Sequence, residues 1–292
     1  PPPTKSALEV IEEDRIKSYE AKWQEGGSIS YLYAYTDLLL NKESNDTASE
    51  FVRNKIRETV KDPKTAELLC PDNHPIGTKR LILDSQYYEI FNEDHVELVD
   101  VRNAPITEIT ESGIQTTDHH YELDAIAFAT GFDAMTGAMR EIDIRVNGGP
   151  TLDEQWEAGP RTYLGLMVAG LPNLFMITGP QSPGVKSQMI LSIEWHVDWI
   201  ADCLQHMKDN KLNRIEATTE AQENWVKHVK DVADSTLYPL ANSWYMGVNI
   251  PGKPKVFMPY VGGVHTYTKE CDRVVANGYE GFVMSSEEIS VT

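Results

Sequence analysis

An α/β fold that begins with helices is what this sequence predicts. Three observations carry the prediction. The chain to about Cys70 is rich in helix formers, with apolar residues at three- and four-residue steps. Short apolar runs bounded by glycine, proline and aspartate follow it. Two of those runs, "DAIAFATG" at 124–131 and "NLFMITG" at 173–179, end in glycine turns, as buried strands do where a nucleotide cofactor sits.

The elements follow in order. "ALEVIEEDRIKSYEAKW" reads as the first helix, and "NDTASEFVRNKIRETV" as the next. Asn45 or Asp46 serves as cap of the latter, with Phe51, Val52, Ile56 and Val60 on one face. Asp62 before Pro63 is an N-cap and first-turn pair. Pro71, Pro75 and Gly77 then end helical character. "RLILD", "HVELVD", "PITEIT" and "GIQTTD" read as strands, with a short amphipathic "SQYYEIFN" among them. A helix from Val185 to Lys208 is expected to bury Ile190, Ile193, Val197, Ile200 and Leu204. Another starts at Thr218/Thr219 and carries Trp225, Val226, Val229 and Val232; a last one, "YTKECDRVVAN", stops at Gly278.

The composition bounds the function. The chain has 292 residues, 41% hydrophobic and 24% charged, enough for about two domains. Its formal charge of −19 comes without a basic stripe, which argues against a nucleic-acid binder. Two small basic islands, "TKR" at 78–80 and "GKPK" at 252–255, stand out against that background. No apolar run approaches the roughly 20 residues of a membrane span. "PPPTKSALEV" lacks a signal-peptide pattern, so a cytoplasmic place without membrane contact is expected. It also lacks an initiator methionine, which implies processing or a preceding segment. Cys70, Cys203 and Cys271 have neither CxxC nor metal spacing, so reduced thiols and no metal are expected. His119 and His120 are adjacent, point to opposite faces of a strand, and make a poor metal pair.

A dinucleotide site normally grips the pyrophosphate with GxGxxG, and no such loop occurs here. The nearest approach is "NLFMITGPQSPGVKSQMIL". Gly179 and Gly184 have the spacing of a Walker loop, but Val185 intrudes before Lys186 and Ser187. That slip turns the lysine about 100° around a helix. Pro180 and Pro183 also remove N–H donors from the loop, which ranks a nucleoside triphosphatase low. Lining a cofactor pocket and making a structural turn both remain open as its role.

Four motifs in order, "IGTKRLILDSQYYEIFNEDHVELVD", "LDAIAFATGFDAMTG", "GPQSP" and "NSWYMGVNIPGKPKVFMPYVGG", resemble the C-terminal half of class B flavin monooxygenases. Within that class they are similar to the type I Baeyer–Villiger monooxygenases. The resemblance implies a partial two-dinucleotide-binding-domain flavoprotein fold with an N-terminal helical segment. Residues 1–75 would be that segment, 76–121 the remainder of an NADP-binding domain, and 122–292 the C-terminal part of an FAD-binding domain. In the family, both GxGxxG loops and the fingerprint FxGxxxHxxxW lie upstream of these motifs. A fragment, a truncated gene product and a degenerate paralogue are the three readings of their absence. Association through surfaces left by a missing N-terminal half is expected on each of them.

The resemblance also implies the chemistry: with FAD, NADPH and O2, an oxygen atom is inserted beside a ketone carbonyl to give an ester or lactone. A secondary-metabolite or steroid-like ketone is the substrate class it suggests. The family's catalytic arginine falls on Arg80, and a guanidinium suits negative charge developing on oxygen because it keeps its proton and offers a fork of donors. Lys79 is implied at the 2′-phosphate of NADPH, and Trp244 at the nicotinamide ribose. Thr130, Gly131, Phe132, Asp133, Gly179 and Pro180 would edge the flavin. Gly184, Val185 and Met189 would line the ketone. Two other readings stay beside this one: an N- or S-oxygenating relative, and a non-catalytic module that keeps the second half of the fold.

Overall fold

A computed structural model describes residues 3–146, 148–184 and 187–286. The chain divides into two compact units, Pro1–Gly131 and Phe132–Thr292.

In the first unit, helices α1 (Glu12–Glu25), α2 (Ser28–Leu32), α3 (Lys42–Thr59) and α4 (Pro63–Leu69) occupy the stretch whose periodicity predicts them. Acidic residues Glu12, Glu13 and Asp14 open α1, where they complement the helix dipole. The Thr65 N–H donates to the Asp62 carboxylate at 2.8 Å, and Pro63 takes the first helical position, as read from the sequence. The cap of α3 differs from expectation. Asn41 accepts the Ser44 N–H at 3.1 Å, while Asn45 lies one turn further in and is fully buried. Tyr19, Tyr31, Tyr35, Leu38 and Ala48 form the core here, and Ile56, Val60, Ala66 and Cys70 form a second cluster.

Strands β1 (Ile106–Thr110), β2 (Gly113–Thr116) and β3 (His120–Glu122) make an antiparallel meander, with Ile109 opposite Ile114 and Ile114 opposite Tyr121. His120 bonds Thr110 Oγ1 at 3.0 Å and the His119 ring packs on Tyr121, so the two imidazoles do not converge. Among the described residues there is no group of three or more His, Cys, Asp or Glu that could hold a metal.

Three expected strands are absent. "RLILD" and "HVELVD" run without strand pairing, and "YYEIFN" contains only a 3₁₀ turn at Glu89–Asn92. "DAIAFATG" forms no strand and is not buried, with Phe128 70% exposed. Alternation and β-branching create a strand only where neighbouring strands accept its backbone bonds. Among the described residues, no acceptor meets the N–H groups of Ala125 to Gly131.

The second unit carries α5 (Gly137–Arg140), α6 (Leu152–Gln155), α7 (Met189–Asp209), β4 (Arg214–Ala217), α8 (Thr219–Asp234), α9 (Val264–Ala276) and β5 (Phe282–Ser285). The Ala221 N–H donates to Thr218 Oγ1 at 3.1 Å, the cap read from the sequence, and Trp225 and Val229 are buried from α8. β4 and β5 pair antiparallel, Ile215 opposite Met284, a ribbon the sequence did not announce. The core gathers Leu164, Leu166, Met167, Trp199, Cys203, Trp225, Tyr267 and Cys271.

Two further expectations are corrected. α7 buries Ser192, His196, Trp199, Cys203 and Met207, while Ile190, Ile193, Val197 and Leu204 are exposed. The helix is apolar on more than one side, and the side with polar partners inside the unit is the one that packs. "NLFMITG" is anchored without being a strand. The Asn173 N–H donates to Ile215 O and the Ile215 N–H donates to Asn173 Oδ1, both at 2.9 Å. Left-handed backbone at Asn173 (φ 60°) and Thr178 (φ 51°) then turns the chain off any continuous ladder. All three cysteines are free and buried. No helix among the described residues is long and apolar enough to cross a membrane.

Candidate functional site

In the first unit the "PIGTKR" turn is fixed before it reaches its cations. Asn45 Nδ2 donates to Leu38 O at 2.7 Å and to Ile76 O at 2.9 Å, and the Ile76 N–H donates back to Asn45 Oδ1 at 2.9 Å. A side chain on Gly77 (φ 83°) would meet Leu32 and Leu39 below 3.0 Å. Thr78 is fully buried and its hydroxyl donates to Pro75 O at 2.5 Å. Lys79 follows half-buried and Arg80 exposed, and neither makes an ion pair among the described residues. Arg80 lines a cavity of about 510 Å³ with Trp23, Tyr31, Arg53, His74 and Tyr88. A surface salt bridge is therefore not what holds Arg80.

In the second unit the tail from Ser243 to Tyr260 ties two other motifs together. Lys253 pairs with the Asp133 carboxylate, and Asn249 Nδ2 donates to Phe132 O at 2.9 Å. The same tail meets the "GPQSP" loop: the Gln181 N–H donates to Met258 O at 2.6 Å and the Tyr260 N–H to Ser182 O at 2.9 Å. Phe132 and Asp133, Gly179 to Ser182, and Trp244 thus belong to one hydrogen-bonded framework.

The loop itself is held on every side. Gln181 is buried at φ 70°, its Oε1 accepts from the Thr162 N–H and hydroxyl at 2.8 Å, and its Nε2 donates to Pro160 O at 3.0 Å. Trp225 Nε1 donates to Gln181 O at 3.2 Å. Gly179 and Pro180 are buried; a side chain on Gly179 would stand 2.5 Å from the Gly165 carbonyl oxygen, so internal packing demands that glycine. Gly184 is also buried, and a Cβ there would meet Thr178 and the Met189 sulfur at 3.2 Å. Met189 is partly exposed at the start of α7. Val185 lies outside the described residues.

Thr130 and Gly131 are exposed, and Gly131 (φ 88°) has open space where a side chain would stand. Phe132 is 89% exposed, an aromatic ring open to solvent. Trp244 is half-buried at the start of a 3₁₀ turn, its ring 4.3 Å from Tyr245. Chemically, the second unit offers a mostly neutral, closely hydrogen-bonded loop at Gly179–Ser182 and a paired carboxylate–ammonium, Asp133 with Lys253.

Sequence reasoning missed Gln181, Asn249, Lys253 and His196. Lys253 had a signal, since it sits in one of the two basic islands. Gln181 sits in the quoted "GPQSP" motif, while His196 had no signal, because its partners Thr178 and Tyr267 lie off its helix.

No protein-family model matches the chain. It is 43% identical over 284 residues to cyclopentanone 1,2-monooxygenase of Comamonas sp. (strain NCIMB 9872), covering 97% of this chain and 52% of that protein. It is 39% identical over 281 residues to cyclohexanone 1,2-monooxygenase of Acinetobacter sp., covering 96% and 51%. A solved structure of oxidized steroid monooxygenase bound to NADP superposes with a TM-score of 0.90 at 47% identity, over 98% of this chain and 54% of that one. The chain spans about half the length of the curated relatives it matches. By sequence and by fold, the chain is similar to Baeyer–Villiger monooxygenases over about half of their length.

Proposed function

We propose that this chain carries one half of an FAD- and NADPH-dependent Baeyer–Villiger monooxygenase, which inserts an oxygen atom beside a ketone carbonyl to give an ester or lactone. The observation that carries the reading is the tail-built framework, in which the segment from Ser243 to Tyr260 fastens both Phe132–Asp133 and the "GPQSP" loop. The similarity to ketone monooxygenases supports the same reading. In the finer assignment, residues 1–75 form the helical segment, 76–121 the NADP-domain remainder and 122–292 the flavin-domain remainder.

The residues present fit the edge of a flavin. Gly131 leaves room for close approach, the N–H groups before it are unpaired among the described residues, and the loop from Thr178 is fixed. They do not supply a pyrophosphate grip, since no GxGxxG occurs in the sequence. When bound, reduced FAD supplies the activation of O2. Thr130, Gly131, Phe132, Asp133, Gly179 and Pro180 would hold the flavin edge, the buried ones through loop shape rather than direct contact. Lys79 would meet the NADPH 2′-phosphate and Trp244 its ribose. Arg80, free of any carboxylate among the described residues, would hold developing oxyanion charge, and Gly184, Val185 and Met189 would shape the ketone side. Exposed Ile190, Ile193, Val197 and Leu204 would meet the complementary half of the enzyme.

Mixing the chain with the complementary half of cyclopentanone monooxygenase tests the proposal. Ketone-dependent NADPH consumption with ester or lactone formation is expected. A flavin-loaded complex that consumes NADPH but oxygenates no cyclic or linear ketone would overturn it.

A further inference from the structure

We propose that His196 is a positioning residue that fixes the Thr178–Gly184 loop by accepting the Thr178 N–H, so that its neutral Nε2–H tautomer sets the shape of the loop. That the loop faces flavin rests on the function proposed above; the hydrogen bond does not.

Four observations converge. His196 is fully buried on α7 and its Nδ1 accepts the Thr178 N–H at 2.7 Å. Its Nε2 lies 3.0 Å from the Tyr267 hydroxyl, which itself donates to Leu164 O at 2.5 Å. The hydroxyl has one proton and gives it to the carbonyl, so it must accept from the imidazole; Nε2 therefore carries the hydrogen and Nδ1 is the acceptor. Thr178 is β-branched and left-handed at φ 51°, a conformation that persists only where the surroundings over-determine it. The residue that follows, Gly179, begins the loop that Gln181 and Ser182 fasten to the tail. Desolvation keeps the imidazole neutral, which suits an acceptor.

An asparagine side chain places its oxygen near where Nδ1 of histidine lies, whereas a glutamine reaches toward the place of Nε2. This distinguishes the hydrogen bond from mere filling of space. Amide exchange of the 292-residue chain, read at Thr178 and in α8, is measured for wild type, His196→Leu, His196→Asn and His196→Gln. His196→Leu and His196→Gln are expected to speed Thr178 exchange about 10- to 100-fold with α8 little changed. His196→Asn is expected to recover most of the protection despite losing the ring. Long-range ¹H–¹⁵N spectra of wild type at neutral pH should show the Nε2–H tautomer. An Nδ1–H tautomer or an imidazolium, equal exchange in the Asn and Gln variants, or exchange rising equally in α8, would each overturn the proposal. None of these measurements needs flavin, so their failure is separate from failure of the half-enzyme mixing experiment.

Discussion

The Lys253 ammonium is paired with the Asp133 carboxylate, 120 residues away, and only 5% of the Lys253 side chain is exposed. An ammonium that deep is tolerated because its counter-charge is in contact; removing one partner leaves the other uncompensated. Lys253→Met should therefore destabilise the second unit by about 1–3 kcal/mol, less than for a fully dry pair because Asp133 is partly exposed. Asp133→Asn should cost a similar amount, and the double variant less than the sum. Urea midpoints of the four proteins check this.

Acid should weaken the second unit through His196. Burial pulls its imidazole down from the ordinary value near 6.5 to about 4. Between those values the unfolded chain binds the proton and the folded chain does not. The contribution is therefore fully present above pH 6.5 and is lost as pH falls toward 4, by about 3 kcal/mol at most. Urea midpoints at pH 7.5 and 4.5 should separate more in wild type than in His196→Asn, which cannot titrate there.

Asn45→Ala should loosen the turn that presents Lys79 and Arg80. It removes two donations and leaves the part-buried Ile76 N–H and the buried Ser49 hydroxyl without their acceptor, a loss of about 2–3 kcal/mol. Exchange of the Ile76 amide should rise with the fall in thermal midpoint.

Arg80→Ala should leave stability within about 0.5 kcal/mol, since the side chain is exposed and makes no ion pair among the described residues. In the reconstituted enzyme it should lower oxygenation about 10²–10³-fold or more while NADPH still reduces flavin. Arg80→Lys should recover only part, because an ammonium lacks the fork. Product formation beside NADPH consumption and hydrogen peroxide release decides it; near wild-type product from Arg80→Ala would remove Arg80 from the chemistry.

Alone, the 292-residue chain should bind FAD weakly or not at all, for want of a helix N-terminus and glycine loop at the pyrophosphate. Stoichiometric flavin after gel filtration would contradict this.

What the sequence made legible was local. The Asp62–Pro63 and Thr218 caps, and the buried face of α8, depend on residues within a turn of one another. The faces of α7 were not legible, because aliphatic side chains lie on one side and Trp199, Cys203 and Met207 on another. Which side packs depends on Thr178 and Tyr267, neither of which lies on the helix. Likewise "DAIAFATG" has the composition of a buried strand but no neighbour to make it one among the described residues, and β4 finds β5 across more than sixty residues. Motif order picked out the Phe132–Asp133 turn and the Gly179–Ser182 loop as stretches, while the pairing of Asp133 with Lys253 joins residues 120 apart that no local pattern connects.

The placement of the three thiols has a practical consequence. Cys70 is buried in the first unit, and Cys203 and Cys271 are buried in the second, each without a disulfide. Burial also pushes the Cys203 thiol up to about 11 and raises that of Cys271, so neither is a ready nucleophile while folded. A colorimetric thiol reagent therefore acts as a chemical clock on opening. One equivalent of colour reports the first unit, two report the second, and the order in which they appear during slow denaturation states which unit lets go first.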